Sequence, residues 1–350
     1  MSADRRRKNK GFLYTKEIVI WILLLAFFVG LLIYNKDRIL AFFNGESGKT
    51  AESESDLFPD EPADQTTESP QETVPPEPDT QPPEDTQEAE NVQPVPEGSG
   101  PLRVYFLDVG EGDAAVLMLD GQVMMIDGGD EAHAPNVCAW LQQQGVGRVD
   151  YMISTHPHKD HASGLASVYQ VAAVGRLYTP VQEYAENAAF TALINNAYST
   201  GTEVKVPVPG EVFNFGAAEV MFIGPVHYDA ENMNNNSLVV RVRYGNETFL
   251  FTGDAEVQEE ADILAAGFDV QANVLKVSHH GSDYASSEAF AQAVHPEHCI
   301  ISVGENEYGH PSATVIQRYS NAGAIVYETW ISGTITVTTD GSSLKMNFER

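Results

Sequence analysis

The chain has 350 residues, of which 50 are acidic and 20 are basic, so its formal net charge is −30 at pH 7. Such an acidic chain repels phosphate backbones at long range, which argues against nucleic-acid binding through a broad basic surface. Its two cysteines are too few for a disulfide framework and lack metal-binding spacing, which leaves one disulfide or two buried thiols open.

The N-terminal residues predict a membrane anchor. Residues 1–17 form a basic tail, and the seventeen residues IVIWILLLAFFVGLLIY (18–34) contain no charge, which is near the shortest length that spans a bilayer. A cleaved signal peptide is the alternative, although no small-residue cleavage site follows Tyr34. The basic tail places the N-terminus in the cytoplasm, so we expect a single-pass protein of the cell membrane with its remainder outside the cell.

Residues 45–100 predict a disordered, acidic, proline-rich linker. They contain 10 of the 19 prolines, 16 acidic residues and one basic residue, with almost no aromatic or branched apolar residue. Because such a segment cannot bury enough apolar surface to offset its ordering entropy, we expect it to stay extended. It would hold the domain that follows away from the membrane.

Residues 101–350 predict one domain with a large apolar core and a net charge of −20. Interleaved strands, hairpins and helices indicate an α/β (α+β) fold in which two sheets pack face to face with helices outside. Apolar runs predict strands at 102–108, 114–119, 123–126, 150–154, 237–244, 248–252, 273–278, 299–303, 324–330, 333–339 and 343–349, with further strands and turns over 203–224. Helical patterns cover 136–144, 162–171, 187–199, 256–266, 286–294 and 313–321.

Four polar residues come just after predicted strands, namely Asp127, His156, Asp254 and His279. Strand ends can gather at one rim of a sheet, where ligand sites of α/β proteins are common. Residues that are far apart in the sequence are therefore expected to converge at one rim.

The stretch STHPHKDH has the residue types and the spacing of a metal site. His156 and His158 are two residues apart in a turn that the intervening proline stiffens, so both imidazoles can bind one ion. Asp160 and His161 can turn toward a second ion beside it. Zinc accepts both imidazole and carboxylate ligands readily. A polar surface loop that is rich in histidine is the alternative.

Three downstream segments could complete this site. Asp254 in FLFTGDAE could bridge two ions, or it could cap the helix that follows. His279 and His280 in KVSHHGSD form an unusual pair after a buried strand, and either could contact an ion or only support a ligand. His310 in YGHPS could be a ligand, a general acid or a residue that starts a helix.

Together, these motifs resemble the metallo-β-lactamase superfamily of binuclear metallohydrolases. More narrowly, LDVGEGDAAVL, MMIDGG, NNNSLVV, FLFTGD, LKVSHHGS and YGHPS, in that order, are similar to the C-terminal hydrolase-like domain of ComEC-type competence (DNA-uptake) proteins. The resemblance covers essentially all of residues 102–350. It implies a four-layer αββα sandwich with two divalent metal ions at one rim, zinc or manganese, and no organic cofactor.

The resemblance also implies a role for each residue of the site. Many members of the superfamily have a further histidine shortly before the bridging aspartate, where this chain has only Asn234-Asn235-Asn236-Ser237. His279 and His310 are therefore inferred to supply the remaining ligands. The implied metal ligands are His156, His158, Asp160, His161, Asp254 as the bridging carboxylate, His279 and His310.

Other polar residues would support these ligands or act on the substrate. Asp127 would orient a ligand histidine, whereas Asp108 and Asp113 would do similar work or only shape the VGEGD turn. The catalytic candidates are Asp160, His280 and His310, and either histidine could protonate a leaving group.

The expected function is a membrane-anchored, extracytoplasmic metallohydrolase, most plausibly a phosphodiesterase that acts on DNA or on a phosphodiester of the cell envelope. Two ions would bridge a water, whose hydroxide attacks the substrate. The alternatives are a β-lactamase-type amide hydrolase and a non-catalytic surface module that binds DNA or wall polymer. A complete uptake protein has a multi-span channel, so this chain, with one predicted span, is not expected to conduct DNA alone.

Overall fold

The computed structural model describes residues 95–96 and 98–350. In this part of the chain, no helix combines the length and the apolar character that crossing a membrane requires. The basic tail, the anchor predicted at residues 18–34 and most of the predicted linker lie outside the described residues. Val95, the first described residue, packs against the main apolar core.

Two mixed β-sheets make up the centre of the described domain. Their strands, in chain order, are β1 (Leu102–Phe106), β2 (Ala115–Leu119), β3 (Gln122–Ile126), β4 (Arg148–Ile153), β5 (Ala173–Tyr178), β6 (Glu203–Lys205), β7 (Val212–Phe215), β8 (Ala218–Gly224), β9 (Val239–Tyr244), β10 (Glu247–Phe251), β11 (Val274–Lys276), β12 (His298–Ile301), β13 (Ile325–Glu328), β14 (Ile335–Thr339) and β15 (Leu344–Phe348). The first sheet has the order β15-β14-β1-β2-β3-β4-β5-β6, and the second has the order β13-β12-β11-β10-β9-β8-β7.

Seven helices accompany the strands in the described residues. They are α1 (Ala134–Gln143), α2 (Lys159–Val168), α3 (Ala188–Thr200), α4 (Val257–Ala265), α5 (Glu288–Val294), α6 (Ala313–Asn321) and the short α7 (Thr329–Ser332). Apolar residues of α1, α2 and α3 share one buried cluster with the outer face of the first sheet. Apolar residues of α4, α5 and α6 share another with the second sheet.

The largest apolar cluster lies between the two sheets. Phe106 of β1 stacks on Phe251 of β10 with ring centroids 5.8 Å apart, and Tyr178 of β5 contacts Phe222 of β8 at 4.9 Å. Burial of large aromatic side chains supplies much of the free energy that holds two layers together. The four layers therefore follow the order helices, sheet, sheet, helices, and the predicted α/β sandwich is confirmed.

Several local predictions differ from the structure. Strand β5 was not predicted, because Gly175 and Arg176 interrupt its apolar run. The run 324–330 was predicted as one strand, but the strand ends at Glu328 and a helical turn begins at Thr329, whose hydroxyl accepts a hydrogen bond from the Val303 amide. Both cysteines are free thiols, so no disulfide joins them; Cys299 is buried, as one alternative predicted, whereas Cys138 is only half-buried.

The pairing of the strands brings the motif-bearing loops to one rim. Strands β3 and β4 are parallel and end at Ile126 and Ile153, and strands β10 and β11 are parallel and end at Phe251 and Lys276. The carboxyl ends of parallel neighbours meet at the same edge of a sheet. The loops that carry the conspicuous histidines and aspartates therefore leave the two sheets together.

Glu259 of α4 is a buried carboxyl group near this loop region. It is 1% exposed, and its Oε1 accepts a hydrogen bond of 2.8 Å from the amide of Val226, which follows β8. Burial raises the pKa of Glu259 to about 8, against the lowering effect of the Val226 amide. The folded protein therefore holds a proton on Glu259 at pH values where the unfolded chain has lost it.

We expect Glu259→Gln to make stability less dependent on pH. Because the folded pKa lies above the unfolded value, Glu259 destabilises the fold increasingly as pH rises from about 5 to 8. The variant should exceed the wild type in free energy of unfolding by on the order of 2 kcal/mol at pH 9, and by less toward pH 5. Urea denaturation across this range checks the prediction, and a difference that does not change with pH would contradict it.

Candidate metal centre

The STHPHKDH motif forms a buried turn between β4 and α2. His156 is fully buried, and its Nε2 lies 3.0 Å from Nδ1 of His158. The amide of Asn187 donates a 2.9 Å hydrogen bond to the carbonyl of Pro157, which holds the middle of the turn. The two ring nitrogens therefore lie side by side, as two ligands of one ion would.

Helix α2 begins inside the motif, three residues before its predicted start. Asp160 and His161 consequently lie in its first turn, and that turn is fixed by backbone hydrogen bonds to neighbouring loops. Gly164 makes this approach possible, because a Cβ at that position would lie 1.8 Å from the carbonyl oxygen of Gly128. The first turn of α2 is thus held against the loop that follows β3.

Asp127 holds the ring of His161. Its carboxylate accepts hydrogen bonds from the Thr155 amide at 2.8 Å and the Thr155 hydroxyl at 2.6 Å, and it lies 2.9 Å from His161 Nδ1. A carboxylate accepts the Nδ1–H proton, which leaves Nε2 as the free ring nitrogen. His161 Nε2 then points to the same region as Asp160, whose Oδ2 is 3.6 Å away.

Asp254 lies between two sets of donors. Its Oδ1 is 3.2 Å from His161 Nε2 and 3.6 Å from His280 Nε2. Its Oδ2 is 3.7 Å from His156 Nε2 and 3.9 Å from His279 Nε2. The two oxygens of one carboxylate therefore face two neighbouring groups of ligand atoms, which is the geometry that a bridging carboxylate requires.

A tight turn after β11 directs two adjacent histidines. His279 and His280 both have left-handed backbone angles, with φ of 49° and 51°. Such conformations cost on the order of 1–3 kcal/mol each and persist where the surroundings impose them. His280 Nδ1 lies 2.9 Å from the Ser302 carbonyl, so this nitrogen carries the proton. Nε2 of His280 is left to face Asp160 Oδ2 at 3.2 Å.

The downstream histidines lie at different distances from the donor atoms. His280, which was predicted as a catalytic residue, joins a group of donor atoms that all lie within 4.8 Å of one another and come from Asp160, His161, Asp254 and His280. His310, which was predicted as a ligand and as a general acid, lies in the same cleft, with its Nδ1 3.0 Å from Glu111 Oε1. The left-handed turn directs the ring of His280 inward.

Asp113 lies near the histidines of the site, whereas Asp108, which was also predicted to support them, does not. Asp113 Oδ1 is 3.5 Å from His280 Nδ1, and its Oδ2 is 2.8 Å from Nζ of the buried Lys276. This ammonium supplies positive charge to the neighbouring Asp113, Asp127 and His161 group, so a cation is not required there. Asp108 instead pairs with Arg350 and accepts a hydrogen bond from Gly110, so it orients none of these histidines.

The main donor group fits a divalent cation. Asp254 Oδ1 and His161 Nε2 are buried, and neither has a hydrogen-bond partner within the described residues, although they lie 3.2 Å apart. Buried polar atoms without partners are rare in folded proteins and need a physical explanation. Atoms that point to a common centre rather than to each other satisfy this requirement when a cation binds them.

Electrostatics points to the same conclusion. Burial lowers the pKa of His161, but the carboxylates of Asp254, Asp160 and Asp127 outweigh it and hold the pKa well above its usual value. Burial raises the pKa of Asp254, but His161 and His280 outweigh it and hold the pKa well below its usual value. The carboxylates therefore attract positive charge into this buried space.

The donor groups open on a cleft of about 650 Å³. His158, Asp160, His279 and His310 reach this cleft, together with Glu111, Asp130, Lys159, Tyr184, Glu186, Asn187, Asn234, Asp254, His280 and Tyr308.

Sequence reasoning missed Glu111, Asn234, Glu256 and Lys276. Glu111 lies inside VGEGD, between two aspartates that were considered, and Asn234 lies in the NNN run that was judged to offer no ligand.

Residues 107–304 match the family model of the metallo-beta-lactamase superfamily. The chain belongs to this superfamily. It is similar to ComE operon protein 3 of Bacillus subtilis (strain 168), with 26% identity over 251 residues, which cover 66% of this chain and 32% of that protein. It is also similar to Competence protein ComA of Neisseria gonorrhoeae, with 27% identity over 244 residues, covering 69% and 32%.

Among solved structures, the metallo-beta-lactamase fold protein YhfI from Bacillus subtilis matches with a TM-score of 0.45 and 11% identity, covering 70% of this chain and all of that chain. The chain spans about a third of the length of the curated relatives named above. The matched residues end at 304. Superfamily membership therefore supports the donor groups between residues 107 and 304, and it gives no support for a role of His310.

We expect His280→Ala and His310→Ala to differ in metal content. His280→Ala removes a donor from the Asp160, His161 and Asp254 group, so it should lose one of two bound ions per chain. His310→Ala should keep both, because its ring is held by Glu111 outside that group. Metal analysis of both full-length variants after dialysis checks this, and loss of an ion from His310→Ala alone would show that His310 is a ligand and contradict the prediction.

Proposed function

We propose that this protein is a membrane-anchored, extracytoplasmic, metal-dependent phosphodiesterase. The observation that carries the proposal is the position of Asp254, whose two oxygens face separate donor groups beside an open cleft. Shared carboxylates of this kind suit paired ions, and paired ions suit displacement at phosphorus because the attacking and leaving oxygens are both stabilised.

The ligand residues would form two neighbouring positions for metal ions. His156 and His158 with Asp254 Oδ2 would hold one ion, and Asp160, His161 and His280 with Asp254 Oδ1 would hold the other. Divalent ions at these positions would activate water near neutral pH and stabilise the negative charge of the transition state. Imidazole donors favour zinc and carboxylate oxygens favour manganese, so this mixed set suits either metal.

In this proposal, His310 would protonate the leaving group. Its Nδ1 lies 3.0 Å from Glu111 Oε1, while Glu111 Oε2 accepts a hydrogen bond from the amide of Gly304. The side chain of Asn306 bonds to both the amide and the carbonyl of His310, so the backbone is also held. A carboxylate on Nδ1 fixes the orientation of the ring, so that its Nε2 would face the cleft as a donor.

Charge favours a small or single-stranded substrate over a long duplex. The domain has a net charge of −20, and the cleft has carboxylates of Glu111, Asp130 and Glu186 against one ammonium at Lys159. Negative charge at this density disfavours approach of a duplex, whose binding depends on many phosphate contacts. Relatives that are named as competence proteins support DNA as one substrate, and a phosphodiester of the cell envelope is the other.

The membrane anchor and the location outside the cell belong to the same proposal. They are supported by the uncharged run 18–34 and by the basic tail that precedes it. In intact cells, added protease is expected to degrade the domain while an N-terminal epitope tag stays protected. Protection of the domain until the cells are lysed would contradict this location.

Hydrolysis itself is tested with the full-length, detergent-solubilised protein. Bis-p-nitrophenyl phosphate, nitrocefin and linear DNA distinguish a phosphodiesterase from an amide hydrolase and from a binding module. We expect hydrolysis of bis-p-nitrophenyl phosphate that EDTA abolishes and added divalent metal restores. His158→Ala should lower kcat/KM at least about 100-fold, because an ion position loses a ligand.

Two further variants serve as controls for that loss. His227→Ala removes an exposed histidine outside the cleft and should leave the rate unchanged. His310→Ala should affect a p-nitrophenyl ester little, because that leaving group needs no proton, but should slow an alkyl phosphodiester strongly. Full activity of His158→Ala, or hydrolysis of nitrocefin alone, would refute the proposed function.

A further inference from the structure

The side-chain oxygen of Asn234 lies at the rim of the cleft and has no hydrogen-bond partner among the described residues. The 3-10 turn Met233–Asn236 lies between β8 and β9, and Asn234 reaches from it into the cleft. Its Nδ2 donates a 2.9 Å hydrogen bond to Glu256 Oε1. Its Oδ1 is buried and finds no hydrogen-bond partner anywhere in the described chain. Because Nδ2 is held and Oδ1 has no partner, Oδ1 is available to accept a bond from a group bound in the cleft.

Glu256 fixes the orientation of this amide. Its Oε2 accepts a 2.7 Å hydrogen bond from Asn232 Nδ2, and its backbone amide donates to Asn235 Oδ1 at 3.2 Å. With both oxygens and the main chain engaged, the carboxylate cannot rotate freely. Because Oε1 accepts from Nδ2 of Asn234, the opposite end of that amide, Oδ1, must point away from Glu256.

The same carboxylate also lies beside a candidate ligand. His279 Nδ1 is 3.4 Å from Glu256 Oε1, while His279 Nε2 is 3.9 Å from Asp254 Oδ2. His279 Nδ1 has no hydrogen-bond partner within the described residues, so Glu256 lies beside this ring without fixing it. Glu256 therefore aligns one side chain, the amide of Asn234, while His279 faces the Oδ2 side of Asp254.

His156 and His158 of the STHPHKDH motif also lie on the Oδ2 side of Asp254. The side chains of His158 and Asn234 are both part of the cleft wall. Asp254 and His279 line the same cleft. An ion held by His156, His158 and Asp254 would thus have the free oxygen of Asn234 beside it.

We infer that Asn234 Oδ1 is a metal ligand, which with His279 Nε2 completes the ion position of His156, His158 and Asp254, and that Glu256 is the positioning residue for Asn234. The inference rests on the metal binding in the proposed function and not on its substrate. An amide oxygen is a harder donor than imidazole nitrogen, and hard oxygen donors suit Mn²⁺. Asn234 therefore makes this position less selective for Zn²⁺ than a histidine would.

Metal affinities of full-length variants test this assignment. Asn234→Leu keeps the approximate shape but removes the oxygen, so one of two ions should bind roughly 10-fold or more weakly. Asn234→His should raise the affinity for Zn²⁺ relative to Mn²⁺. Competition with a fluorescent chelator gives both affinities, and the electron paramagnetic resonance spectrum of bound Mn²⁺ reports the change of ligand directly.

Asn236→Ala is the matched control. Asn236 lies in the same turn and its side chain bonds to the backbone of Asp229 and to the Asn232 carbonyl, but it contacts neither Glu256 nor the cleft. The variant should lower the thermal midpoint and leave both metal affinities unchanged. Equal loss of metal from Asn236→Ala and Asn234→Leu would show that only the turn matters, and would overturn the inference.

Other outcomes separate this inference from the proposed function. Unchanged metal affinity and an unchanged Mn²⁺ spectrum in Asn234→Leu, in a wild-type protein that hydrolyses phosphodiesters, would refute the ligand role alone. A wild-type protein that binds two ions and loses one in Asn234→Leu, yet cleaves no phosphodiester, would refute the phosphodiesterase alone. Glu256→Ala should weaken the same ion as Asn234→Leu, because the amide of Asn234 loses the acceptor that orients it.

Discussion

The site depends on one buried carboxylate that two sheets must share. Asp254 is 2% exposed and comes from the end of a strand of the second sheet, whereas His156 and His161 follow a strand of the first. A charge that is buried this deeply is tolerated only when positive charge and directed polar groups surround it. Packing of the sheets face to face therefore does more than form a core, because it brings the two halves of the donor set together.

Close approach of the backbone makes this convergence possible. Gly253 precedes the shared carboxylate with a φ of 51°, and a Cβ there would lie 2.9 Å from the side chain of Thr155. His279 and His280 use left-handed conformations that non-glycine residues adopt rarely. The energy that these conformations cost is offset by the aromatic core between the sheets, which holds the strand ends in place.

Three of the histidines near the cleft have a polar group behind one ring nitrogen, which decides which nitrogen faces inward. Asp127 does this for His161, and the carbonyl of Ser302 does it for His280. Glu111 lies behind His310 in the same way. Since an imidazole can present either nitrogen, these contacts determine whether a ring can bind a metal or donate a proton.

The sequence by itself determined the layered fold and most of the donor set, because both depend on short-range patterns. Strand and helix periodicity predicted two sheets between helices, and the spacing of STHPHKDH placed His156, His158, Asp160 and His161 in one turn. The position of Asp254 after an apolar strand predicted that it would reach the same rim. Membership of the superfamily agrees with this interpretation.

Only the tertiary structure decided how the remaining side chains divide among roles. Nothing in the letters HHGS distinguishes the inward ring of His280 from that of His279, because a left-handed turn makes the choice. The oxygen of Asn234 became a candidate ligand only when its amide was found held by Glu256. The pairing of Glu111 with His310 crosses 199 positions of the chain. Such contacts depend on where two sheets place their loops, and no local pattern in the sequence records that distance.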